Sequence, residues 1–164
     1  MGRDGKRNIL YLIDFGLAKM FKDPKTNVHI PFRENKSLTG TPRFASIDNH
    51  KGYEIGRKDD LEALAYILIY LARGELPWQG IKVPRNVKDE RKAKNRIIVN
   101  MKQSVNYSTM CKGCGECVAF LLEYSRRLRF YDKPDYGMLL DRFADEIRRR
   151  GWTVDWNFYF NEDR

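Results

Sequence analysis

Three groups of residues in this chain have the types and spacing to do chemistry. Asp14 follows directly on the apolar run at residues 8–13 and precedes Phe15-Gly16. A carboxylate at the end of a rigid strand presents hard oxygens of the kind Mg²⁺ prefers. Cys111, Cys114 and Cys117 form the second group, in the order Cys-Lys-Gly-Cys-Gly-Glu-Cys. That order imitates an iron–sulfur or zinc run, but such sites use four ligands. No fourth cysteine exists, and His29 and His50 lie far away in sequence. No stoichiometric zinc or iron is expected. The third group is basic: Arg43 in Gly40-Thr41-Pro42-Arg43, with further cations at residues 82–102. Arginine offers a planar fork to a phosphate and lysine a point charge. Taken alone, Arg43 reads as half of a structural ion pair.

The 164-residue chain is long enough for one domain with its own core, and 42% of its residues are hydrophobic. Its net charge of +9 suits nucleic acid, an anionic membrane or acidic proteins as partners. No apolar run is long enough to span a membrane. The first residues lack the apolar stretch of a signal peptide, and Lys6 breaks the myristoylation pattern that Gly2 would begin. Three cysteines within seven residues do not make a secreted disulfide framework. A cytoplasmic or nuclear protein is expected.

The elements that must position these groups are mostly helical. Residues 8–13 read as a buried strand after an Asp4-Gly5 turn signal. Residues 19–58 have little periodicity and read as a long functional loop. A helix is predicted from Asp59, capped by an Asp59/Glu62 pair, apolar on most sides and ending at Arg73-Gly74. A weak, charged surface helix is predicted over 87–101. Cys117, Phe120, Leu121, Tyr124 and Leu128 share one helical face. Tyr136, Leu139, Leu140, Phe143, Ala144 and Ile147 share another, between Pro134-Asp135 and Gly151.

Longer blocks resemble one family. Asp14-Phe15-Gly16-Leu17-Ala18-Lys19, residues 29–46 (His-Ile-Pro-Phe-Arg-Glu-Asn-Lys-Ser-Leu-Thr-Gly-Thr-Pro-Arg-Phe-Ala-Ser), Arg57-Lys58-Asp59-Asp60-Leu61-Glu62, Gly74-Glu75-Leu76-Pro77-Trp78-Gln79-Gly80, Cys111-Lys112-Gly113 and residues 128–136 occur in family order. They resemble the C-terminal lobe of casein kinase I-type serine/threonine protein kinases, over nearly the whole chain. The resemblance implies a mainly α fold: a kinase C-lobe over 1–164 with a remnant β-hairpin at its N-terminus and the N-lobe absent. It implies Asp14 as Mg²⁺ ligand and Ile13 as floor of the ATP pocket. It implies Thr41 as the activation-segment threonine and Asp60 as the buried helix aspartate that braces the catalytic loop. Arg43, Gln79, Gly80 and Lys88 resemble the family's site for acidic or phosphorylated protein substrates. Pro42 stands where the family commonly has a small residue, and Asp48 where it has asparagine.

Several parts of a kinase are missing from the sequence. Gly113 and Gly115 are followed by Val118 where a third phosphate-loop glycine would stand, and no V-A-I-K occurs. Arg3-Asp4 with Asn8 imitates a catalytic loop, but Asn8 follows Asp4 by four positions where five are required. Residues 3–7 are therefore expected to be the turn of the hairpin. ATP and Mg²⁺, the family's cofactors, should bind this chain weakly or not at all, and phosphoryl transfer should depend on the missing N-lobe and catalytic loop. A non-catalytic module that binds acidic or phosphorylated partners around Arg43 is the alternative. A nucleic-acid binder ranks below both, because no nucleic-acid motif accompanies the charge.

Overall fold

The structure, a computed structural model, describes residues 6, 8–84 and 86–155. Among them it is mainly helical: α1 (Ile47–His50), α2 (Arg57–Arg73), α3 (Glu90–Ser104), α4 (Tyr107–Met110), α5 (Glu116–Arg127) and α6 (Tyr136–Arg149). No strand occurs among the described residues; Lys22 and His29 make an isolated antiparallel bridge. No helix of the described residues is long and apolar enough to cross a membrane.

Helix α2 is the centre of the fold and packs mainly on α5. Its C-terminus is where the sequence places it: Gly74 takes a left-handed φ of 79° and donates its N–H to Tyr70 O at 2.8 Å. Its start differs. The helix begins at Arg57 with Gly56 as N-cap, and Asp59 sits in the first turn with its carboxylate reaching back to Gly56 N at 2.7 Å. Glu62 is not half of a capping pair; it is 2% exposed and turned into the core. There Ala65, Tyr66 and Ile69 of α2 meet Val118, Leu121 and Leu122 of α5, with Leu76, Trp78, Ile98 and Leu139 closing the cluster.

The outer helices follow their local signals. Asp135 caps α6 by accepting from Met138 N at 2.9 Å, and Leu139 is buried, while Tyr136, Leu140 and Ala144 of the predicted stripe are exposed. Helix α3 lies three residues later than its charge pattern suggests, because Asp89 caps it through Lys92 N at 3.0 Å.

The expected buried strand at residues 8–13 is not found. Leu10, Leu12 and Ile13 are 79%, 81% and 78% exposed, and the segment pairs with no described strand. An apolar run becomes a strand only when a neighbouring backbone takes its N–H and C=O groups, and no described backbone does. The first strand and most of the turn of the expected hairpin lie outside the described residues.

Residues 19–46 and 51–56 are irregular, as predicted, whereas α1 and the first two residues of α2 fall inside the expected loop; the irregular stretch is nonetheless pinned. Lys36 N donates to Gly52 O at 2.8 Å and Glu54 N to Arg33 O at 2.7 Å. Gly52 has a φ of 77°, and a Cβ there would lie 2.8 Å from Lys36 O, so only glycine fits. Lys58 Nζ bridges Asp48 at 2.6 Å and Asp59 at 3.1 Å. Burial works against that ammonium, but the two carboxylates more than offset it and hold Lys58 above its ordinary pKa. Asp48, the departure from the family's asparagine, thus ties α1 to α2.

Candidate functional site

Arg43 lies just before α1, where the chain turns back on itself: Phe44 N and Ala45 N both donate to Thr41 O, at 3.0 and 3.1 Å. Trp78 Nε1 donates to Arg43 O at 2.8 Å and joins this turn to the 76–80 loop. The guanidinium of Arg43 lies over the rings of Tyr70 and Phe44, 5.2 and 5.8 Å from their centroids. Among the described residues no carboxylate pairs with it. Beside it, Gln79 Oε1 accepts from Leu76 N at 2.6 Å, which leaves the amide NH₂ as the outward donor, and Gly80 turns at a φ of 67°.

These residues line one cavity of about 1160 Å³. Arg43, Gln79 and Gly80, which the resemblance groups together, line it, and so does Thr41, to which the resemblance gives a separate role. Lys88 does not: it is exposed and outside the lining. Its place is taken by Arg91, Lys92 and Lys94 from the first turns of α3, with Lys36 and Lys51 on the opposite wall. No described Asp or Glu lines the groove. Lys92 and Lys36 lean toward carboxylates outside it, at 3.8 Å from Asp89 and 3.6 Å from Glu54, and Arg43, Lys51, Arg91 and Lys94 pair with no carboxylate among the described residues.

Beneath the groove is a buried polar cluster that sequence reasoning missed. Lys102 is 0% exposed, its Nζ within 2.6 Å of Ala45 O, 3.1 Å of Pro42 O and 3.1 Å of His50 Nε2. Three ammonium protons thus meet three acceptors. The Tyr66 and Trp78 rings cover the ammonium at 4.7 and 4.9 Å. Asn95 Nδ2 donates to His50 O at 3.0 Å, which turns its Oδ1 to His50 Nδ1. The His50 proton is therefore on Nδ1, and Nε2 accepts from Lys102. Burial, then the Lys102 charge, push His50 below its ordinary pKa, with Asn95 and Pro42 pulling back. Burial also pushes Lys102 down to about 7, against the pull of Glu62 and with the push of Arg126. The cluster clamps the Pro42–Ala45 backbone to α3 and so fixes Arg43. A sequence signal existed: Lys102 falls four residues after Ile98, on the one apolar stripe of a charged helix.

The nucleotide residues are not assembled. Asp14 is exposed, in a left-handed conformation at φ 61°, and among the described residues its Oδ1 accepts from Gly16 N alone, at 3.3 Å. No group of three metal-ligating residues occurs among the described residues. Ile13 and Phe15 are 78% and 64% exposed. Asp60 is exposed rather than buried and takes no hydrogen bond from any described residue. Partial desolvation and then the Asp59 carboxylate raise its pKa. Its neighbour Asp59 is the buried one, accepting from Ser46 Oγ at 2.7 Å as well as from Gly56 and Lys58. Burial raises the pKa of all three cysteines, Cys111 to about 11, so the thiols stay protonated near neutrality.

A helical domain with a cationic, carboxylate-free groove is the class that fold and site define. No family model matches the chain.

Proposed function

We propose that this chain is a casein kinase I-like C-lobe whose own activity is to hold an acidic or phosphorylated polypeptide in the groove at Arg43. The supporting observation is convergence: Arg43 and the Gln79-Gly80 pair, 36 positions later, line one groove with Lys51, Arg91 and Lys94 and with no described carboxylate. Phosphate oxygens suit such a site, since residues bearing guanidinium, amide and ammonium donors line one volume. Calorimetric titration with a phosphoserine peptide is the direct test. Arg43→Ala is expected to weaken binding by about 1–3 kcal/mol, the scale of a charged hydrogen bond. Equal affinity for both proteins would remove the proposal. A DNA duplex that binds more tightly than the peptide, with a steep salt dependence, would move the groove to nucleic acid.

The family's reaction is ATP-dependent phosphorylation of serine and threonine, which rests on positioning and charge stabilisation by many groups together. The sequence supplies one metal-binding aspartate, Asp14, without a glycine-rich loop, an ATP lysine or a catalytic-loop aspartate and asparagine. Thr41 and Asp60, whose family partners belong to that loop, are both exposed. Transfer therefore depends on an N-lobe and catalytic loop supplied from elsewhere. With casein and radiolabelled ATP, the 164-residue chain is expected to give no turnover above background. Turnover that disappears in Asp14→Asn would overturn this and give the chain a catalytic centre of its own.

A further inference from the structure

His50, Asn95 and Pro42 belong to the lining of the groove, and Lys102, wholly buried, meets His50 and Pro42 from behind. Lys102 Nζ and His50 Nε2 are 3.1 Å apart. Two positive charges at that separation, shut from water, repel strongly, so the pair holds one extra proton rather than two. That proton has two seats. On Lys102 it completes the ammonium that donates to Ala45 O, Pro42 O and His50 Nε2. On His50 it makes Nε2–H a donor to Pro42 O at 3.0 Å, while the neutral amine still donates to Ala45 O at 2.6 Å. His50 Nδ1 keeps its own proton toward Asn95 Oδ1 in both arrangements. No other side chain lining the groove titrates near neutrality: its remaining ionisable groups are lysines and arginines, and no described Asp or Glu is among them.

The charges facing the pair are nearly balanced. From α2, Glu62 attracts the Lys102 ammonium and the Tyr66 ring covers it; from α5, Arg126 repels it. Asp48 of α1 and Asp59 of α2 are both taken by Lys58, and Tyr107 of α4 accepts from Arg126. On the groove side stand only cations, Arg43, Lys36 and Lys51 on one wall and Arg91, Lys92 and Lys94 of α3 on the other. An empty groove therefore works against the shared proton, and an anion held by those cations reverses the field. We propose that the groove binds its anion together with a proton, taken from solvent and held by the Lys102–His50 pair, so that acidic or phosphorylated chains are gripped more tightly as pH falls through neutrality. Burial places the Lys102 titration at about 7, where such a coupling acts. Linkage makes the effect reciprocal: what the anion does to the proton, the proton does to the anion. The inference rests on the groove being the anion site and gives that site its regulation.

Calorimetric titration with sulfate, which itself takes up no proton near neutrality, separates binding from protonation. At about pH 7.5 and one ionic strength, in buffers of different ionisation heat, the observed heat should report about half a proton taken up per sulfate bound. The dissociation constant should rise about threefold per pH unit above neutrality. In Lys102→Met the buffer dependence should vanish and the affinity should become flat over the same range, a change that loss of a merely structural contact would not make. Sulfate that binds the parent protein without proton uptake, or equal uptake in a folded Lys102→Met, would overturn the inference and leave the groove standing as an anion site. The first of these outcomes needs no variant. Absence of binding by both sulfate and a phosphoserine peptide, or a sulfate affinity unchanged in Arg43→Ala, would overturn the groove itself and this inference with it.

Discussion

Glu62→Ala is expected to cost about 3–5 kcal/mol, the range for stripping one partner from a buried ion pair. Glu62 is the carboxylate that faces two buried cations. Its Oε1 accepts from Tyr66 OH at 2.6 Å and Arg126 Nε at 3.2 Å, and both oxygens lie 3.4 Å from Ile47 N. Arg126 also donates to Tyr66 OH at 2.6 Å, Lys102 O at 2.8 Å and Tyr107 OH at 3.1 Å. Burial works against its charge, yet Tyr66, Tyr107 and Glu62 together hold Arg126 above its ordinary pKa. Without Glu62, the Arg126 and Lys102 charges would share a low-dielectric core with no anion between them. Against a total stability of about 5–15 kcal/mol for a domain, such a loss would unfold much of the protein at room temperature. Urea denaturation followed by circular dichroism measures it, and Glu62→Gln, which keeps the shape and loses the charge, should fall between the two. A loss below about 1 kcal/mol for Glu62→Ala would mean that water reaches Arg126 and that the core is not the dry network described.

Stability is also expected to rise with pH through neutrality, because of Lys102. Its pKa is about 7 in the folded chain, against about 10.4 for a free lysine. Between those values the unfolded chain holds more protons than the folded one, so stability climbs as pH rises. From about pH 6.5 to about pH 8.5 the gain from this one group is about 2 kcal/mol. His50, also pushed down, acts in the same direction below its ordinary pKa. The cysteines act in the opposite direction above about pH 8.5, since their raised pKa values favour protons in the folded state, and this sets the upper end of the window. Lys102→Met keeps the length of the side chain and removes its charge. Its unfolding free energy should be nearly flat across the same window. A parallel slope in both proteins would place the titration on another group.

Much of this architecture can be read from short stretches of chain. The C-terminus of α2 follows from Arg73-Gly74, because the left-handed cap needs a residue without a Cβ. The start of α6 follows from Asp135, whose carboxylate reaches a backbone N–H three residues on. The irregular course of residues 19–46 follows from their lack of periodicity. Arg43, Gln79 and Gly80, grouped in advance by the order of the blocks around them, line one cavity.

Partners across space are a different matter. Of the adjacent pair Asp59 and Asp60, spacing on the helix cannot say which is buried; the positions of Ser46 and Lys58 select Asp59. Lys88 and Lys94 are equivalent as charges in a basic stretch, and it is the cap at Asp89 that starts α3 there, leaving Lys88 outside and carrying Lys94 to the groove. Residues 8–13 have the composition of a strand, but a strand is a relation between two backbones, and apolar side chains do not supply the second. Lys102 shows the same limit most sharply. Its charge alone predicts a surface residue, and it is buried because Pro42 O, Ala45 O and His50 Nε2, all more than fifty positions earlier, converge on its three protons. Caps and periodicity act over about one helical turn and are written locally, whereas the burial of a charge depends on which distant acceptors the packed chain brings to it.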